Sequence, residues 1–177
     1  MGTSASLSFP IGSFDASAPV DAAMREPALM AIAELPARLR DAVGGLSEAQ
    51  LDTPYRPRGW TVRQVVHHLA DSHMNGFIRM KLALTEDLPT IKAYDEKSWA
   101  ALPDSVLPIG LSLDILSGLH VRWTALFPLL TDREYARAFF HPERGHAMTI
   151  DTHLQMYAWH SKHHVAHITA LRHREGW

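Results

Sequence analysis

The sequence predicts an all-α protein, a four-helix bundle with one small β-hairpin before its last helix. Three observations carry that reading. Four segments, beginning near Val20, Val62, Ser112 and Asp151, repeat apolar residues at the three-and-four spacing of an amphipathic helix. Strand character is confined to residues 138–150, where two short runs flank Glu143-Arg144-Gly145. The chain has 177 residues, 46% of them hydrophobic, which suffices for one domain with a real core and is short for two.

Each element has its own signals. Residues 1–18 combine Ser, Gly and Pro with Leu7, Phe9, Ile11 and Phe14 at no helical period, so an extended arm lying on the domain is expected. The opening Met1-Gly2-Thr3-Ser4-Ala5-Ser6 matches a myristoylation pattern but has no polybasic second signal, and is read as chance. Over residues 20–43, Ala28, Leu29, Ile32, Leu35, Leu39 and Val43 form one stripe. Pro36 should kink that helix and Gly44-Gly45 should end it. Ser47-Glu48-Ala49-Gln50 is a capping box for a short helical turn, and residues 52–59 read as loop. Thr61-Val62-Arg63-Gln64 is a second box, opening a helix to about Thr85 with Val62, Val65, Leu69, Ile78 and Leu82 inside.

Residues 89–108 form a long connection with a helical turn around Tyr94–Trp99, expected to cover one end of the domain. The third helix, residues 112–130, should bury Leu113, Leu116, His120, Trp123 and Phe127, with His120 either supporting a ligand from behind or, the favoured reading, simply packed. After the hairpin, Asp151 is expected to cap the last helix. That helix runs to about Arg174, where Arg172, His173 and Arg174 suit the negative end of its dipole.

Charge and composition exclude several classes of function. With 17 basic and 19 acidic residues the formal charge is −2, which provides no electrostatic footprint for nucleic acid or an anionic membrane. No apolar run approaches the roughly 18 residues that span a bilayer, and no secretory leader is visible, so a soluble cytoplasmic protein is expected. There is no cysteine, hence no disulfide, thiolate ligand or cysteine nucleophile. Any metal must be held by nitrogen and oxygen.

The chain has 12 histidines, and eight of them fall between His141 and His173. In the run WHSKHHVAHI, at about 100° per residue, His160 and His164 share a helix face while His163 points away. His153, Tyr157, His160, His164, His167 and Leu171 continue one inward stripe. A histidine-rich but solvated helix is the plain alternative to a metal site. Several imidazoles on a buried face are costly unless something binds them. The pair leaves an incomplete shell, and on the second helix His67, His68 and His73 are available. His68, between Val65 and Leu69, is the better placed, although spacing alone does not separate it from His67. Three neutral imidazoles and an open position match a catalytic divalent site, with Zn or Ni favoured and Fe or Mn as alternatives. Each ligand must be neutral, so protons should compete with the metal as pH falls through about 6.5. Asp71, His153 and His167 are candidates to orient the imidazoles through their second nitrogens.

The segments GWTVRQVVHHLADSH, KLALTE with YDEKSW, and YAWHSKHHVAHI resemble the YfiT-like branch of the DinB superfamily, as do LSFPIG, LDTPYR and the terminal GW. The resemblance implies a four-helix bundle with one divalent metal on His68, His160 and His164. It also implies a metal-dependent hydrolase acting on a small molecule, often as a homodimer. Related branches transfer low-molecular-weight thiols such as bacillithiol or mycothiol, so S-transfer from an exogenous thiol is the alternative activity, and a metal-binding protein without turnover is a third reading. The chain departs from the family pattern near Val106 to Ser112 and at Lys162, positions on a loop and an outer helix face that bear on substrate choice rather than on ligands. No glutamate sits beside the histidine pair as in His-Glu-x-x-His hydrolases, so the sequence names no general base.

Overall fold

The computed structural model describes residues 7–177; the first six, with the Met1–Ser6 pattern and the start of the expected arm, lie outside the described residues. Four long helices dominate: α1 (Arg25–Val43), α3 (Val62–Thr85), α5 (Gly110–Thr124) and α7 (Ile150–Glu175). Between them fall the short helices α2 (Glu48–Leu51), α4 (Glu96–Trp99) and α6 (Asp132–Tyr135), and the strands β1 (Ala138–His141) and β2 (His146–Thr149). The expected four-helix bundle with a small hairpin is what forms. Helix α1 packs on α7 and α5, and α3 packs on the same two, so α1 and α3 sit diagonally although they are consecutive long helices.

Local chemistry sets most boundaries. Ser47 and Thr61 form the two expected capping boxes, each accepting from the backbone N–H of Gln50 or Gln64 while that glutamine side chain returns to the cap. Helix α1 runs through Pro36 without breaking. Helix α5 ends at Thr124, earlier than expected, because Pro128 cannot continue it and starts a separate 3-10 turn at Phe127–Leu129. The last helix is capped by Thr149 rather than Asp151. The Thr149 hydroxyl accepts from Thr152 N–H, whereas the Asp151 carboxylate pairs with the Arg25 guanidinium at 2.8 Å. In the hairpin, Phe139 pairs with Met148 and both point inward, while Gly145 takes the positive φ of 68° that the turn needs.

The core has two apolar clusters with a polar layer between them. Ile32, Phe77, Met80, Trp123, Phe127, Ile150, Leu154 and Tyr157 belong to one; Leu35, Leu39, Leu69, Leu116, Ile168 and Leu171 belong to the other. On α3 the switch occurs between Leu69 and Phe77, on α5 between Leu116 and Trp123, and on α7 between Tyr157 and Ile168. His68 and His73, His120, and His160 and His164 occupy or flank those intervals. Ile78, expected inside, is exposed, because Phe77 and Met80 take the core face of α3. Gly76 lets α3 approach α7 closely: a β-carbon there would clash with the Tyr157 ring and lie 2.7 Å from Trp123. The described part of the arm crosses α7, where Ser8 C=O accepts from His167 and Gly12 C=O accepts from Trp159. No described helix is long and apolar enough to cross a membrane.

Candidate metal centre

Helix α7 offers His160 and His164 one turn apart, and α3 offers His68 opposite them. One nitrogen of each lies within 4.8 Å of the others, and His68 Nε2 is 3.3 Å from His160 Nε2. His67 is turned away: Leu107 C=O accepts from its Nε2 at 3.0 Å, and its Nδ1 meets the Ser112 hydroxyl at 2.8 Å. The structure thus distinguishes two neighbours that spacing left equivalent. The Trp60 ring lies 4.5 Å from that of His68 and shields the cluster on one side. Of the three histidines, His160 keeps partial exposure.

Two chains of hydrogen bonds fix the proton positions on the α7 histidines. The Ile32 carbonyl can only accept, so His120 Nδ1 donates to it at 2.6 Å. With neutral rings, His120 Nε2 then accepts from His73 Nδ1 at 3.0 Å, and His73 Nε2 accepts from His160 Nδ1 at 3.2 Å. The proton of His160 therefore sits on Nδ1 and its Nε2 lone pair faces His68. A shorter chain acts on His164. His167 Nε2 donates to Ser8 C=O at 3.1 Å, so His167 Nδ1 accepts from His164 Nδ1 at 3.4 Å and the His164 Nε2 lone pair is free.

Burial also keeps these rings neutral. Desolvation, reinforced by the neighbouring imidazoles, holds His160, His164 and His73 well below their ordinary value. His68 is brought down to about 4, first by burial and then by His163. Proton competition for the cluster therefore belongs well below the 6.5 expected from free imidazole. Three neutral, convergent imidazoles, two of them with lone pairs fixed at Nε2, could hold a divalent ion, with the Nε2 proton that His68 shares with His160 displaced on binding.

The other candidates are placed differently. His167 meets His164 directly. Asp71 makes no side-chain hydrogen bond to the three histidines among the described residues; burial, then Asp104, push its carboxyl up, opposed by His67. His153 is fully buried but gives its Nε2 to Gly76 C=O at 2.9 Å, away from the cluster. His163 stacks on Trp159 with ring centroids 4.3 Å apart. Spacing assigns His73 no partner, and of the two roles open to His120 the structure gives both, packing and a hydrogen bond to His73. Their signal was a histidine occupying the position of a core hydrophobe, between Leu69 and Phe77 and between Leu116 and Trp123.

A cavity of about 270 Å³ reaches His160 from the hairpin side, with Tyr157 and Trp159 in its wall. A helical bundle with a three-histidine cluster beside a cavity belongs to the class of proteins that build their sites from side chains on facing helices. Residues 31–168 match the DinB superfamily, and the chain belongs to it. It is 50% identical over 177 residues to YfiT of Bacillus subtilis, covering 99% of both chains, and 49% identical over 172 residues to a Bacillus licheniformis relative, covering 97% of this chain and 98% of the relative. Both relatives are named as candidate metal-dependent hydrolases. The solved structure of B. subtilis YfiT, described as a four-helix bundle of unusual topology, superposes with a TM-score of 0.94 at 49% identity, covering 97% of this chain and 99% of that one.

Proposed function

We propose that this chain is a metal-dependent hydrolase of small molecules, with one divalent ion on His68, His160 and His164. The observation that carries this reading is the convergence of three imidazole nitrogens within 4.8 Å, beside a cavity that reaches His160. When bound, the ion supplies Lewis acidity, polarising an electrophile and bringing the pKa of water toward about 7. The protein's own work is to present Nε2 of His160 and His164 as lone pairs, to keep the rings neutral, and to shield one side with Trp60. Glu96 and Glu143 line the same cavity. Partial burial pushes the Glu96 carboxyl up, against Arg144 and Arg79, which makes it the stronger proton acceptor for a role as general base.

One observation favours transfer of an exogenous thiol as the second reading. No carboxylate hydrogen-bonds to any of the three histidines among the described residues, so a nucleophile that loses its proton on coordination needs less help than water does. The deciding experiment assays zinc- and nickel-loaded protein and its His68→Ala variant against ester and amide panels, and against thiol plus electrophile. Metal-dependent ester or amide cleavage without thiol supports hydrolysis. Turnover only with thiol supports transfer. Homodimerisation belongs to the same proposal and is read from light scattering after size exclusion.

A further inference from the structure

Arg79 is a buried cation with no direct ion pair among the described residues; Glu96 in the same cavity feels its charge without touching it. Its residue is 8% exposed, and its Nε has no hydrogen-bond partner. One terminal nitrogen donates to Lys92 C=O at 3.2 Å, and the guanidinium lies 6.0 Å from the Tyr94 ring centroid. Leaving a buried charge unpaired is costly, and a side chain that tolerates this in a cavity wall is waiting for a partner. Arg79 lines the cavity that reaches His160, as does His141, whose Nδ1 is also buried and without a partner. Burial, then Arg79 and Arg144, lower the pKa of His141, so its ring is neutral and can contribute one hydrogen bond.

We propose that the Arg79 guanidinium, with His141 beside it, binds a carboxylate on the substrate while the other end of that molecule lies at the histidine cluster. The proposal rests on the cavity being the substrate site of the function proposed above. Helix geometry suits an elongated ligand. His68 and Arg79 lie about 20° apart around α3 and roughly 16 Å apart along its axis, so the cluster and the guanidinium share one wall at two levels. The free Nε edge of a guanidinium matches the two oxygens of a carboxylate. A carboxylate monoanion meets less repulsion from Glu96 and Glu143 in the same cavity than a phosphate dianion would. The volume of about 270 Å³ limits the ligand to a small molecule.

The test titrates succinate, its neutral analogue succinamide, and inorganic phosphate into zinc-loaded full-length protein, and into metal-free protein to remove direct carboxylate–metal contact. Calorimetry is used for the wild type, Arg79→Gln and Arg79→Lys, with thermal melting as the check on folding. The proposal expects succinate to bind both forms of the wild type at least tenfold more tightly than succinamide or phosphate. It expects Arg79→Gln to lose that preference while folded, and Arg79→Lys to keep part of it. Equal binding of succinate and succinamide, unchanged binding to Arg79→Gln, a preference for phosphate, or no succinate binding in either form would overturn it. Because these readouts need no turnover, an empty assay panel with intact succinate binding would remove the hydrolase reading and leave the carboxylate site standing.

Discussion

His73 Nε2 lies 3.2 Å from His160 Nδ1, and the opposite nitrogen of the same His73 ring lies 3.0 Å from His120. A backbone carbonyl at Ile32 thereby sets the proton on His160 through two intervening rings. Replacing His73 by Ala breaks that chain without touching the facing nitrogens. The expected result is a loss of metal affinity of about 10- to 100-fold, the usual range for a partner that orients a ligand. Competition with a metallochromic chelator measures it, and nitrogen-15 NMR of the imidazoles should show His160 losing its fixed Nδ1–H tautomer. Unchanged affinity and tautomer would show that the chain is packing alone.

Alanine at His160 or His164 should weaken metal binding beyond that outer range of about 10- to 100-fold, whereas alanine at His163 should leave it near wild type. His163 is as buried as its neighbours, yet its ring stacks on Trp159 and contributes no nitrogen to the cluster. The same chelator titration applied to the three variants compares them directly.

The metal-free protein should lose stability on acidification, starting near neutral pH. Burial holds His153 down to about 3 and His120 down to about 4, against 6.5 for the free ring. Below 6.5 the unfolded chain takes up these protons and the folded chain does not, so folding loses about 1.4 kcal/mol per pH unit for each such ring. That loss is absent above 6.5 and saturates once pH falls below the folded values. Urea midpoints from pH 7.5 to 4.5 measure it. Affinity for the metal, by contrast, should stay nearly flat from pH 8 to 6, because the cluster is already neutral in the folded state.

Gly76→Ala should destabilise the bundle by about 1–3 kcal/mol, the usual cost of forcing a methyl group into a packed interior. The added carbon collides with Tyr157 and Trp123, and Tyr157 also ties α7 to Ser72 C=O by a 2.9 Å hydrogen bond. Denaturant melts of the variant provide the check.

What could be read from the sequence follows the range of the interaction. The capping boxes at Ser47 and Thr61 are decided within four residues. The four amphipathic stripes are decided within one helix, so the bundle was legible. Where two local signals compete, the sequence misleads. Asp151 reads as a cap until Arg25, 126 residues away, claims its carboxylate. The pairing of His160 with His73 spans 87 residues and that of His120 with Ile32 spans 88, and no spacing rule reaches so far. Arg79 gave no sequence signal, because its meaning depends on the fold leaving it buried without a direct ion pair among the described residues.

Anomalous diffraction from zinc-loaded crystals locates the metal outright. One peak per chain is expected among the side chains of His68, His160 and His164, with zinc–nitrogen distances of about 2.0–2.1 Å and at least one non-protein ligand. A peak elsewhere, or a shell at this position closed entirely by protein atoms, would contradict the proposed site.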